Sequence, residues 1–105
     1  MAHFHVYENL NPTSKKTYPY LVDVQSPLLS DLESRVVIPL VKKDKIEKGI
    51  IRNLNPIVSI KKTKYVVLTQ QLAGIPNKYI GPAVCDCLSA RQDITSAIDF
   101  LITGI

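Results

Sequence analysis

The sequence has little of several residue types, and each shortage narrows what the protein can be. It contains no tryptophan, one methionine and only two cysteines in 105 residues. No uninterrupted apolar run approaches the roughly 20 residues that a membrane-spanning helix requires. The first residues also lack the basic segment and apolar run of a secretory signal. We therefore expect a cytoplasmic protein with no membrane partner.

The cysteines and histidines are too few and too unusually spaced to indicate a metal or redox site. The cysteines form Cys85-Asp86-Cys87, a spacing that suits neither a disulfide nor the C-x-x-C of redox and zinc sites. Two free thiols favour a reducing compartment. His3 and His5 could be combined with both cysteines as zinc ligands, but zinc sites more often use C-x-x-C and H-x-x-x-H spacings. We expect no metal.

Catalytic motifs are lacking as well. The sequence has no Gly-rich phosphate loop, no H-E-x-x-H and no G-x-S-x-G. Neither cysteine is linked by a motif to a general base, and Asp93 and Asp99 fall on different sides of one predicted helix. Because function has to come from a site, we expect no catalytic residue and no cofactor, and binding is favoured over chemistry.

The composition that is present indicates one globular domain over residues 1–105. Hydrophobic residues make up 46% of the chain and charged residues 21%, as in ordinary soluble domains of this length. The net charge of +4 indicates nucleic acid as one class of partner to consider. The lysines, however, cluster at residues 42–48 and 61–64, between apolar segments, where solvated loops are the favoured interpretation and a nucleic-acid surface is the alternative.

Period-two alternation predicts several short strands. Pro39 lies within a β-branched run, which implies an edge position or a bulge. Residues 71–77 contain both glycine and proline and predict a break between elements. Residues 9–16 and 61–64 have the composition of hairpin turns. The predicted strands are residues 3–8, 18–26, 35–41, 57–60, 65–70 and one short strand within residues 78–88.

The last 17 residues predict one amphipathic helix over residues 89–105. Ser89 and Gln92 have the spacing of a capping box, and Gly104 fits a C-terminal cap. Asp99 and Thr103 fall on the side opposite the apolar stripe, and Phe100 flanks them. The fold class is therefore mainly β with one C-terminal helix, an antiparallel sheet or small barrel on which the helix packs. The apolar stripe that should face the core is Ile94, Ala97, Ile98, Leu101 and Ile102.

Three leucines in the connection of residues 27–34 also need an explanation. Leu28, Leu29 and Leu32 stand among turn-forming residues. They either tuck under the domain as a small apolar cluster or remain exposed as a contact for a partner. The favoured interpretation is the first.

Several motifs resemble the CcdB family of toxins from bacterial toxin–antitoxin pairs, in one register over nearly the whole chain. They are Val-Asp-Val-Gln-Ser at residues 22–26, Arg-Val-Val-Ile-Pro-Leu at residues 35–40, Thr69, Ile75-Pro76 and the terminal Gly104-Ile105. The resemblance implies a homodimer of SH3-like small barrels with additional antiparallel strands. It also implies binding to the A subunit of DNA gyrase and trapping of the cleavage complex, with neutralisation by a disordered segment of a CcdA-like antitoxin. Direct nucleic-acid binding is not expected.

The resemblance further implies which residues contact gyrase. In this sequence they are Leu28, Leu29, Arg91, Asp99, Ile102, Thr103, Gly104 and Ile105. Three of these positions depart from the family pattern, which has Trp where Thr103 stands, an acidic residue at Arg91 and an amide at Asp99. Two alternatives remain open: a messenger-RNA endoribonuclease of the related barrel fold, and a non-toxic homologue that retains only antitoxin binding.

Overall fold

The computed structural model describes residues 3–46 and 48–104. Within these residues the chain forms seven strands and one α-helix, separated by short turns of 3-10 helix. The strands are β1 (His5–Asn9), β2 (Tyr20–Asp23), β3 (Ser34–Lys42), β4 (Ile57–Ile60), β5 (Thr63–Val67), β6 (Ala73–Pro76) and β7 (Ile80–Asp86), and the helix is α1 (Arg91–Thr103).

The strands form one antiparallel sheet in the order β4-β5-β3-β2-β1-β7, and β6 pairs with the other half of β3. The sheet curls into a half-barrel, and α1 packs on it. The predicted mainly β fold with one C-terminal helix is therefore confirmed, as are the two hairpins, β1–β2 and β4–β5. Both hairpins pair neighbours in the chain, which is the commonest way for an antiparallel sheet to form.

The prediction that Pro39 marks an edge or a bulge is wrong, because β3 is a central strand that pairs with β2 along residues 37–40. On its other side, β3 pairs with β6 at residues 34–37 and with β5 at residues 40–42. The carbonyl of Pro39 accepts from the Leu68 amide at 3.1 Å, between those two partners. The nitrogen and carbonyl of a strand residue point to the same side. The missing N–H of Pro39 therefore lies at the point where the partner of β3 changes from β6 to β5.

The predicted break at residues 71–77 is also wrong in part, since Ala73–Pro76 is strand β6. Glycine and proline are depleted in strands, but β6 lies beside β3 alone among the described strands, and Pro76 is its last residue. A proline at the end of an edge strand costs little. The preceding strand is shorter than predicted, because β5 ends at Val67 and Thr69–Gln71 form a 3-10 turn.

The main core lies between the concave face of the sheet and α1. Alternate residues of β2 and β3 point into it, as the period-two pattern predicts. Cys87 and the helical Ile94 close it from the C-terminal side. The buried residues of this core are Phe4, Val6, Val22, Ile38, Leu40, Val58, Ile60, Tyr65, Val67, Cys87 and Ile94.

The predicted capping box is wrong because α1 begins later than expected. Ser89 lies in a 3-10 turn, Leu88–Ala90, and the residue preceding α1 is Ala90, which provides no side-chain cap. Gln92 donates from Nε2 to the Ser96 hydroxyl at 3.2 Å instead of reaching back. The side chain that supports the turn is Asp86, whose Oδ1 accepts from the Leu88 amide at 3.1 Å.

Candidate partner-binding surface

The C-terminal end of α1 is a fixed, outward-facing structure. Gly104 has φ 76°, a left-handed conformation that glycine adopts without steric cost. Its N–H donates to the Phe100 carbonyl at 2.9 Å, and the Thr103 hydroxyl donates to the Asp99 carbonyl at 2.6 Å. Asp99 and Thr103 are exposed, as predicted. Ile105, the last predicted contact, lies outside the described residues.

The apolar stripe of α1 covers the core over only part of its length. Ile94 and Ala97 are fully buried, and Ile98 packs against the main core. Leu101 and Ile102 are 40% and 73% exposed, so the prediction that they face the core is wrong. The helical period fixes the side of the helix on which a residue lies, but the last turn extends past the residues that the sheet covers. Ile102 therefore presents an apolar side chain to solvent.

The leucines after β2 do not tuck under the domain, so the favoured interpretation of them is wrong. Pro27–Leu29 form a 3-10 turn in which the Ser26 hydroxyl accepts from the Leu28 amide at 3.2 Å. Leu28 is 93% exposed, and Leu29 and Leu32 are each about half exposed. We call Pro27–Leu29 the leucine turn. A fully exposed leucine on an ordered turn is a candidate contact for a partner.

Buried polar residues of the Val-Asp-Val-Gln-Ser motif hold the leucine turn in place. Gln25 donates from Nε2 to the Leu29 carbonyl at 2.7 Å, and its Oε1 accepts from the Val36 amide at 3.0 Å. Asp23 accepts from the Gln25 amide at 3.0 Å and forms a fully buried ion pair with Arg35. Because both ends of the Gln25 side-chain amide are hydrogen-bonded to backbone groups, the leucine turn is tied to β3.

The predicted contacts divide into separate groups in a single copy of the chain. Asp99, Ile102, Thr103 and Gly104 lie together on the last turn of α1. Arg91 is exposed at the opposite end of the helix, about 18 Å away at 1.5 Å per residue. Leu28 and Leu29 lie on a different element. Helical spacing predicts the first group and its distance from Arg91, whereas nothing in the sequence gives the distance from the helix to Leu28 and Leu29.

A groove beside α1 is a feature that the sequence did not reveal. It has a volume of about 630 Å³ and lies between the helix and the chain that leads into β4. Phe100, which flanks the outward side of the helix, lines it and is partly buried there. We call this the helix groove. Its other lining residues include Ile50, Arg52, Pro56, Ile57, Asp93 and Ser96.

The pairing of β1 with β7 brings His5 beside the Cys85-Asp86-Cys87 segment. His5 pairs with Asp86 and Val6 with Cys85. No group of three or more metal-ligating side chains occurs within residues 3–46 and 48–104. Burial, followed by the neighbouring Cys85 and Asp86, raises the pKa of Cys87 to about 11. At neutral pH this thiol is therefore protonated, and a protonated thiol is a poor nucleophile.

None of the helices in the described part of the chain is long and apolar enough to cross a membrane. When the sequence is compared with known protein families, residues 3–104 match the family described as CcdB protein. The match covers almost the whole chain, including the leucine turn and the end of α1.

Proposed function

The chain belongs to the CcdB family of toxins from toxin–antitoxin systems, and from this premise we propose that it poisons DNA gyrase. In this proposal the protein binds the gyrase A subunit and traps the enzyme while DNA is cut. It acts through binding and not through catalysis. A cognate CcdA-like antitoxin neutralises it by folding on its surface.

The observation that carries the proposal is the exposure of two apolar side chains on rigid supports. Leu28 is 93% exposed on a turn that Gln25 and Ser26 hold, and Ile102 is 73% exposed on the last turn of α1. Exposed apolar groups on ordered elements favour association, because a partner gains the apolar contact without first ordering the chain. Both positions are among those that the family resemblance implies as gyrase contacts.

We further propose that the toxin acts as a homodimer. A two-fold dimer presents the same surface twice, and gyrase A subunits also form a two-fold pair, so one isologous surface meets another. The separation of Arg91 from the helix end within one copy is compatible with this arrangement, since the second copy supplies a further set of contacts. Phe100 is placed beside the outward face and is a candidate for the dimer seam or the target surface.

Thr103 offers a smaller contact surface for gyrase than the tryptophan that the family pattern has at this position. Tryptophan is the residue type most enriched among binding hot spots, and its loss costs roughly 2–4 kcal/mol. Thr103 instead uses its hydroxyl to bond the Asp99 carbonyl. We therefore expect gyrase binding to depend more strongly on Leu28, Leu29 and Ile102 than in members that carry the tryptophan.

The proposal is tested by incubating the protein with gyrase from the native host, DNA and ATP, and measuring linear DNA released from trapped complexes. Thr103→Lys should abolish trapping, because it places a long charged side chain on the contact surface. Thr95→Lys is the matched control, since Thr95 is exposed on the same helix two turns earlier. Circular dichroism establishes that both variants remain folded.

Absence of trapped complexes with the unaltered protein would count against gyrase poisoning. Equal loss of trapping in both lysine variants would remove the end of α1 from the contact surface. Unfolding of Thr103→Lys would show that Thr103 stabilises the fold. The Leu28→Asp variant then provides an independent test of whether trapping depends on the proposed contact residues. At 93% exposure, Leu28 can accept a charge without disturbing the core.

A further inference from the structure

The two lysine runs, which are separate in the sequence, meet in the fold. Lys42 pairs with Tyr65 across β3 and β5, so the turn after β3 lies beside the β4–β5 hairpin. The hairpin is closed by Lys61 and Lys62, both in the left-handed conformation that a type I′ turn of two residues requires. A groove of about 570 Å³ separates the turn from the hairpin, with Lys43 on one wall and Lys62 and Lys64 on the other.

The positive charge of the chain is concentrated in residues 42–64. This segment contains eight basic and two acidic residues, a net charge of +6. The other 82 residues contain five basic and seven acidic residues, a net charge of −2. We call the eight basic residues of the segment the basic face, and all of them are exposed. They are Lys42, Lys43, Lys45, Lys48, Arg52, Lys61, Lys62 and Lys64.

The charges of the basic face are not neutralised by the described part of the protein. Within residues 3–46 and 48–104 the only ion pair is the buried one between Asp23 and Arg35. Asp44 lines the same groove as three of the lysines, but it forms no ion pair with any of them. The basic face therefore attracts a partner of dense negative charge.

We propose that the basic face binds the phosphate backbone of double-stranded DNA. DNA carries one negative charge for about every 1.7 Å of its axis, and each phosphate that a lysine neutralises releases a bound counterion. Lysine side chains bind phosphate as point charges. Contacts to phosphate position a protein on DNA but carry no base sequence information. The proposal departs from the sequence-based expectation of no direct nucleic-acid binding, which treats the two lysine runs as separate loops.

The composition of the basic face favours a duplex over a single strand. Proteins that bind single strands stack the bases on aromatic side chains. Residues 42–64 contain no phenylalanine, tyrosine, tryptophan or histidine. The neighbouring aromatic residue in the sequence, Tyr65, is buried. The basic face can therefore neutralise a backbone, but it offers no aromatic ring for unpaired bases.

The basic face is distant from the leucine turn. Gln25, which ties that turn to β3, accepts from the Val36 amide, and β3 ends six residues later at Lys42. At about 3.3 Å per residue the separation is roughly 20 Å. A protein bound at the leucine turn therefore need not cover the lysines. The proposal does not rest on gyrase poisoning, because DNA alone is the ligand.

The test titrates the protein, without gyrase, into a short fluorescein-labelled DNA duplex at several sodium chloride concentrations. The basic-face variant is Lys43→Gln/Lys62→Gln/Lys64→Gln. The control, Lys15→Gln/Lys16→Gln/Lys78→Gln, removes the same charge from three exposed lysines outside residues 42–64.

The basic-face variant should lose at least about tenfold in affinity for the duplex at low salt. The slope of log affinity against log salt should also become shallower, by about 0.9 for each lysine that contacts a phosphate. The control should change neither quantity to the same extent. Amide shifts on adding the duplex should map to residues 42–64. If the triple variant unfolds, Lys43→Gln alone provides the test, with an expected change in slope of about 0.9.

Three results would overturn the proposal. The first is failure of the unaltered protein to bind the duplex, and the second is an equal loss in the two triple variants, which would reflect total charge. The third is a stronger competitor: single-stranded DNA or polyglutamate of equal charge that displaces the labelled duplex better than unlabelled duplex does. Trapping of gyrase is measured in a separate assay, so either proposal can fail without the other.

Discussion

At the scale of single residues, the Val-Asp-Val-Gln-Ser motif connects the core to the candidate site. Its valines fill the main core, as their period-two spacing predicts. The same spacing places Asp23 and Gln25 on the other face, where polar residues are usually solvated. Both are buried in the structure. Burial of the second face depends on Arg35 and on the turn that follows, which are distant in the sequence, so the pattern alone could not predict it.

Asp23→Ala tests how much the buried pair contributes. Removing one partner leaves the Arg35 guanidinium buried without its countercharge, so we expect the free energy of unfolding to fall by about 3–5 kcal/mol. Asp31→Ala, which removes an exposed carboxylate from the adjacent loop, should change stability little. Urea denaturation at one protein concentration measures both. Equal effects of the two substitutions would show that the pair does not stabilise the fold.

At the scale of elements, the sequence predicted α1 better than it predicted what α1 covers. Helical spacing correctly placed Ile94 and Ala97 in the core and Asp99 and Thr103 in solvent, and Gly104 correctly marked the end. The pattern could not show that the stripe loses contact with the sheet after Ile98. That boundary depends on where the curled sheet ends, which no local signal encodes.

A pair of substitutions on α1 tests this boundary. Ile94→Ala removes a fully buried side chain and should lower the free energy of unfolding by about 2–5 kcal/mol. Ile102→Ala makes the same chemical change at a site that is 73% exposed, and should cost no more than about 0.5 kcal/mol. Thermal and urea unfolding provide the comparison. A large loss at Ile102 would place the last turn in the core and remove it from the candidate contact surface.

At the scale of the whole molecule, composition and alternation predicted the fold class, but they could not predict which distant segments meet. The central position of β3 follows from its pairing with both β5 and β6, and Pro39 pointed to the opposite conclusion. The same strand brings Lys42 beside the β4–β5 hairpin, which converts two solvated loops into one basic surface. Tertiary pairing decides both outcomes, and neither leaves a periodic signal in the sequence.

Convergence of the lysines predicts a cost in stability that salt relieves. Exposed like charges repel one another over roughly 30 Å at 0.01 M ionic strength, and added salt shortens that range to roughly 3 Å at 1 M. The triple substitution of Lys43, Lys62 and Lys64 to glutamine should therefore raise the urea midpoint at low salt, and the gain should shrink as sodium chloride is added. The triple substitution of Lys15, Lys16 and Lys78 controls for net charge, although it also removes the Lys78 ammonium that lies 5.1 Å from the centroid of the Tyr79 ring. Equal gains in the urea midpoint of both triple variants would show that the repulsion comes from the total charge of +4 and not from the closeness of Lys43, Lys62 and Lys64 to one another.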